Sequence, residues 1–234
     1  MNNILIKCGI VPEMLTQSQN EIFSSAVRDA KSKNFTPFDS FLDAVNKNAE
    51  LVSNNELALK QKCVSALRSA LKSIEKISQS FTRSTLSAFE TPNGNSNFGM
   101  EHVAFITEIC KAISDLENLN SDCAEIISKA DDSLLVEFKL RCSALTEFAK
   151  TSQAAEKFRK TEASLKELSR EAVIKKFSGC AVYIEGALSE LKKLCEDTDT
   201  AFMKIQKDLE SKAAYNRVIM RYAGIINNIL ANLA

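Results

Sequence analysis

Tryptophan is absent from this 234-residue chain, histidine occurs once, proline three times and glycine six times. So few chain-breakers favour uninterrupted helices over a sheet with its many turns. The prolines are Pro12, Pro37 and Pro92, so everything from Phe98 onward is proline-free. The single histidine, His102, sits beside Glu101, and no ExxH or HExxH pair exists. Di-metal carboxylate sites of the helical type therefore have no ligand set. His102 reads as a surface residue at a helix N-terminus. GxGxxG and Walker-type loops are missing, and the loop from Gly94 to Gly99 holds no lysine to cradle phosphate. A cysteine nucleophile would need a basic partner that one histidine scarcely provides. The expectation is a protein that is not an enzyme, with no catalytic residues, no metal and no cofactor.

Excess charge of one sign is also lacking. Lys+Arg and Asp+Glu both count 30, which speaks against wrapping nucleic acid along the whole chain. No apolar run approaches the roughly 18 residues of a membrane span. Ile4–Val11 is broken by Lys7 and stopped by Pro12, too short for the core of a signal peptide. A cytoplasmic protein is expected. The seven cysteines, Cys8, Cys63, Cys110, Cys123, Cys142, Cys180 and Cys195, are odd in number, widely spaced and free of CxxC. They read as small core residues in a reducing compartment rather than a disulfide framework or zinc site.

What is abundant is helical periodicity. A short helix is expected at 20–33, with Ser18 and Glu21 at capping-box spacing and Asn34 as its stop. Ile22, Phe23, Ala26, Val27 and Ala30 form its apolar face. A second start signal follows: Thr36 as N-cap, Pro37 in the first helical position, Asp39 in the first turn. From there a stripe runs through Phe38, Phe41, Leu42, Val45, Ala49 and Val52 to Val64, Leu67, Leu71, Ile74 and Phe81. Its steps of three and four give a coiled-coil-like seam to about Glu90. Such a helix would be about 80 Å long, with Ser53-Asn54-Asn55 its weakest point. Thr91–Gly99 reads as a loop.

A second long helix is expected from Met100 to Leu168, bending near Asp131-Asp132-Ser133. A reversal is placed between Leu168 and Gly179, where Ser178-Gly179 is the turn-like pair. The third helix then runs to about Asn232. A lone three-helix bundle of this length leaves wide apolar stripes uncovered, and dimerisation is the expected remedy. The fold class is thus all-α, with three long antiparallel helices in residues 36–234 and a segment 1–35 carrying a short amphipathic helix.

Charge is unevenly placed. Glu101–Glu137 holds nine acidic residues against two basic, while Lys139–Lys176 holds ten basic against five acidic. Lys60–Arg83 holds six basic against one acidic. One reading is of solvated helix faces whose basic stretches pair with acidic neighbours. The other is of a basic arm that binds anionic headgroups, at roughly 1 kcal/mol per well-placed Lys or Arg.

The helix order, the run Leu134–Phe148 and the basic, aromatic-containing Ala155–Lys160 that follows resemble the BAR-domain superfamily of crescent-shaped membrane-binding dimers. The resemblance covers residues 36–232. It implies a homodimeric, peripheral scaffold that senses or shapes anionic membranes. Lys157, Arg159, Lys160, Lys166, Arg170, Lys175 and Lys176 would then contact headgroups. The neutral net charge departs from many members of that superfamily, and residues 1–35 have no certain counterpart. The chain of 20–33 would either enter the lipid interface with Ile22, Phe23 and Val27 or pack as an ordinary helix. The alternative is a coiled-coil adaptor for protein partners with no membrane role. It requires the basic residues to lie opposite acidic ones across helix contacts.

Overall fold

The computed structural model describes residues 2–7, 9–90, 98–148, 152–204 and 209–233. Among them the regular structure is all helical: α1 (Asn2–Lys7), a 3-10 turn (Pro12–Met14), α2 (Gln17–Lys31), α3 (Thr36–Glu90), α4 (Phe98–Ser128), α5 (Ser133–Phe148), α6 (Ser152–Leu168), α7 (Arg170–Met203) and α8 (Leu209–Leu233). They form two compact units, one of residues 1–55 with 127–176, the other of 56–126 with 177–234.

This corrects the three-helix expectation. The helix expected from Met100 to Leu168 is three helices, and the one expected to run to Asn232 is two. The bend near Asp131 is a full break, capped locally. The Asp131 carboxylate accepts from the Ser133 amide at 3.0 Å and its hydroxyl at 2.7 Å, which holds the Asp131 carboxyl below its ordinary range. The Asp132 carboxylate accepts from the Arg170 amide at 2.9 Å, tying the start of α7 to this break. Gly179, the expected turn, lies inside α7; the interruption falls at Ser169. Of the expected loop Thr91–Gly99, residues 91–97 lie outside the described residues, and Phe98 and Gly99 already belong to α4.

In the first unit α5 is the central helix. One face, with Phe138 and Cys142, packs with Phe38, Phe41, Leu42 and Val45 of α3 and Leu165 of α6. Another, with Leu140 and Ala144, packs with Leu5 of α1 and with Phe23, Ala26 and Val27 of α2. A helix apolar on two faces is what a buried position demands. Its charges are matched locally: Arg141 pairs with Glu137 at 2.7 Å and lies 5.0 Å over the Phe41 ring. Residues 17–31 are thus an ordinary packed helix, with Phe23 and Val27 each 2% exposed, and residues 1–35 belong to the same compact unit as the start of α3. The α2 cap is Thr16 with Gln19, not the expected Ser18 with Glu21. Thr16 accepts from the Gln19 amide at 3.3 Å, and the Gln19 side chain accepts from the Thr16 amide at 3.0 Å. Lys33, with φ of 55°, turns the chain after α2 before Asn34 is reached.

α6 lies beside α3 and runs parallel to it. Lys157 meets Asp39 at 2.9 Å and Ser164 meets Asn46 at 2.8 Å, both 118 residues apart. A constant separation is the mark of parallel helices. Phe158 also packs on Phe138 of α5, centroids 4.8 Å apart.

The second unit is an up-down-up-down bundle of α3 (from residue 56), α4, α7 (from 177) and α8. Its core holds Cys63, Leu67, Ala70 and Ile74 from α3 and Ile109, Leu116 and Cys123 from α4. Phe177, Ile184, Leu191 and Leu194 come from α7, and Tyr215, Ile219, Tyr222 and Ile226 from α8; all are at most 4% exposed. Full burial of each large side chain is worth about 1.5–3 kcal/mol. Four helices cover the stripes that three would have left open. The stripe-width reason for dimerisation therefore falls away in this unit.

Candidate functional site

The seven basic residues expected to act together sit on α6 and the first turns of α7. Three of them hold carboxylates of the same chain. Lys157 binds Asp39 across to α3, which raises its pKa above the ordinary lysine value. Lys160 lies 3.6 Å from Glu156. Lys176 binds Glu167 at 3.0 Å. Arg159, Lys166, Arg170 and Lys175 are exposed. Glu156, Glu162 and Glu167 are interleaved with the basic residues along α6, so this face is mixed in sign.

His102 is not a surface residue. It is 4% exposed, and both ring nitrogens are engaged. Asp199 of α7 lies 2.8 Å from Nε2 and Tyr215 of α8 lies 2.7 Å from Nδ1. A carboxylate only accepts, so Nε2 donates to Asp199, while Nδ1 shares a hydrogen bond with the Tyr215 hydroxyl. Phe202 stacks on the imidazole at 4.0 Å with the rings 6° from parallel. Phe81 of α3 completes the cluster, 6.2 Å from the Tyr215 ring. All four helices meet here. Burial first, then the Asp199 charge, pushes the Tyr215 hydroxyl pKa upward. The Asp–His–Tyr order has the form of a proton relay, but the Tyr215 end is sealed at 0% exposure. The arrangement suits a clamp that fixes helix register. Sequence reading missed it because nothing local to His102 announces partners 97 and 113 residues away.

A groove follows the seam between α3 and α4. Its wider part, about 450 Å³, is lined by Ser73, Lys76 and Ser80 on one side and Glu101, Ala104 and Glu108 on the other. A second part, about 420 Å³, is lined by Lys62, Ser65 and Ser69 against Lys111, Asp115 and Asp122. The floor is small or already buried: Ala66, Ile77, Phe105, Ala112 and Leu119 are each at most 6% exposed. The rims are charged and opposite. Lys62 and Lys76 stand on α3. Glu101, Glu108, Asp115 and Asp122 stand on α4 at intervals of seven, which places them in one column on one helix face; Lys111 is the exception on that side. Among the described residues none of these rim acids, nor Lys62 or Lys76, makes an ion pair. The seven-residue spacing was legible in the sequence, whereas the opposing lysines emerge only once α4 is antiparallel to α3.

No family model, no curated protein and no solved structure matches this chain. No described helix is long and apolar enough to cross a membrane, and the described residues hold no cluster of three metal-ligating side chains.

Proposed function

We propose that this chain is a non-enzymatic helical scaffold for protein–protein interaction, and that its first partner is a second copy of itself. The charged α3–α4 groove carries the proposal. Two such grooves face to face, related by a two-fold axis parallel to the helices, set the α3 of each copy opposite the α4 of the other. Levels along the axis are preserved by that operation. Lys76 then meets the Glu101 and Glu108 column of its partner, and Lys62 meets Asp115 and Asp122. A two-fold axis across the helices would instead oppose like charges. Charge thus selects one geometry over the other. The small floor residues permit close helix approach but add little apolar area, so the association is weak and salt-sensitive. The pairing of Lys157 with Asp39 across a helix contact fits the adaptor reading of the basic stretch. Light scattering coupled to size exclusion tests self-association. The expected result is a concentration-dependent dimer at low salt that dissociates at high salt and is lost in the Lys62→Glu/Lys76→Glu variant. A monomer at every salt, or a dimer untouched by the double substitution, rejects it.

A membrane-binding scaffold of the BAR type is the second reading. Its support is the exposure of Arg159, Lys166, Arg170 and Lys175, which make no ion pair among the described residues. Co-sedimentation with anionic and neutral vesicles decides it: salt-sensitive pelleting with anionic vesicles alone supports it, and equal, negligible pelleting with both rejects it.

A further inference from the structure

We propose that Cys110 and Cys195 form an oxidisable dithiol across the α4–α7 seam, a site that small hydroperoxides convert to an intrachain disulfide. Its basis is independent of the self-association reading. Two contacts bracket this seam: His102 with Asp199, and Glu117 with Lys192 at 2.7 Å. Cys110 lies between His102 and Glu117 on α4, and Cys195 lies between Lys192 and Asp199 on α7. The contacts that fix the two helices thus hold the thiols on facing sides of the seam, near enough that Cys110 contributes to raising the Cys195 pKa. Cys110 is exposed and Cys195 half-exposed, so oxidant reaches the pair. The other described cysteines differ. Cys63, Cys123, Cys142 and Cys180 are buried, and burial is the main cause that raises the thiols of Cys63 and Cys123 to about 11. The expectation of small core cysteines holds for these four, fails for the exposed Cys110 and holds only partly for Cys195, while Cys8 lies outside the described residues.

The chemistry balances in two steps. The Cys110 sulfur attacks the peroxide; the S–O bond forms, the O–O bond breaks, and water or an alcohol leaves with the thiol proton. The Cys195 sulfur then attacks the Cys110 sulfenic acid; the S–S bond forms, the S–O bond breaks, and the departing hydroxide takes the Cys195 proton to become water. Two thiols lose two electrons, and the peroxide gains them. Cys195 is the resolving thiol. Burial, followed by the neighbouring Cys110 and the Asp199 and Glu196 carboxylates, pushes it up to about 12, so closure accelerates as pH rises.

The test is peroxide treatment of the folded full chain, read by thiol titration in denaturant and by peptide mapping without reductant. The expected result is loss of two of the seven thiols, a linked peptide joining Cys110 to Cys195, and full reversal by a dithiol reductant. Cys195→Ser should instead drive Cys110 to the sulfinic acid, and Cys110→Ser should abolish the link. Accumulation of Cys110 sulfinic acid in the unsubstituted chain without the linked peptide overturns the proposal, as does retention of all seven thiols after peroxide treatment. Circular dichroism of each variant separates a lost link from a lost fold.

Discussion

The single histidine shows how far a residue's role can depart from its local sequence. Replacing His102 by Ala empties a buried, stacked site and removes the hydrogen bond between the imidazole and the Tyr215 hydroxyl. Cavity and lost hydrogen bonds together should cost about 3 kcal/mol. Tyr215→Phe removes one hydrogen bond while keeping the ring, and should cost about 1 kcal/mol. Urea unfolding of the two variants distinguishes a register clamp, which ranks them this way, from a passive filler, which would leave Tyr215→Phe neutral. Tyr222 supplies a pH dependence. Burial, then its 2.5 Å hydrogen bond to Asp197, pushes its hydroxyl up to about 12. In the unfolded chain a tyrosine titrates near about 10. The folded state therefore keeps a proton that the unfolded state releases first. Stability is fully present below about pH 10 and is lost as pH climbs through about 12. Urea midpoints across this window should fall for the native chain and fall less steeply for Tyr222→Phe.

At the scale of elements, the helices were legible and their breaks were not. Periodic apolar residues located the material of α2, α3, α4 and α7, because burial of one face imposes steps of three and four whatever the neighbours are. The junctions carry no such imprint. α6 ends at Leu168 and α7 begins at Arg170 with only Ser169 between them, while Gly179, the residue that looked like a turn, is helical. Glycine punctuates weakly when packing on both sides favours helix. It also costs stability there, and a Cβ at Gly179 would meet nothing within 4 Å. Gly179→Ala should therefore stabilise the protein by about 0.5–1 kcal/mol, seen as a higher thermal midpoint; a drop would mean that the site is strained or crowded. The α2 cap gives the opposite sign: Thr16→Ala removes the hydroxyl that accepts from the Gln19 amide, leaves the residue-16 amide on the Gln19 side chain, and should cost about 1 kcal/mol. Of the candidate surfaces, the acidic column on α4 could be read from spacing alone. The thiol pair and the His102 cluster could not, since each depends on the antiparallel pairing of helices distant in sequence.

For the molecule as a whole, the groove implies a stricter consequence than dimerisation. In the proposed pairing each copy offers one basic rim and one acidic rim, and both are used twice across the two-fold axis. Changing Lys62 and Lys76 to Glu makes both rims of a copy acidic. Changing Glu101, Glu108, Asp115 and Asp122 to Lys makes the second rim basic, joining Lys62, Lys76 and Lys111. Either variant alone then opposes like with like at both contacts and should remain monomeric. Mixed together, each rim of one meets its opposite on the other, and a one-to-one heterodimer should form. Native mass spectrometry of the mixture resolves the species by mass, and rising ionic strength should dissolve the heterodimer as exposed charges are screened. The cycle separates charge complementarity from generic stickiness. A partner held by apolar contact would let each variant keep its homodimer, whereas rims that merely solvate their helices would leave the mixture as two monomers. Both variants place their changes on rim positions outside the buried core, so each should keep the helicity of the parent chain.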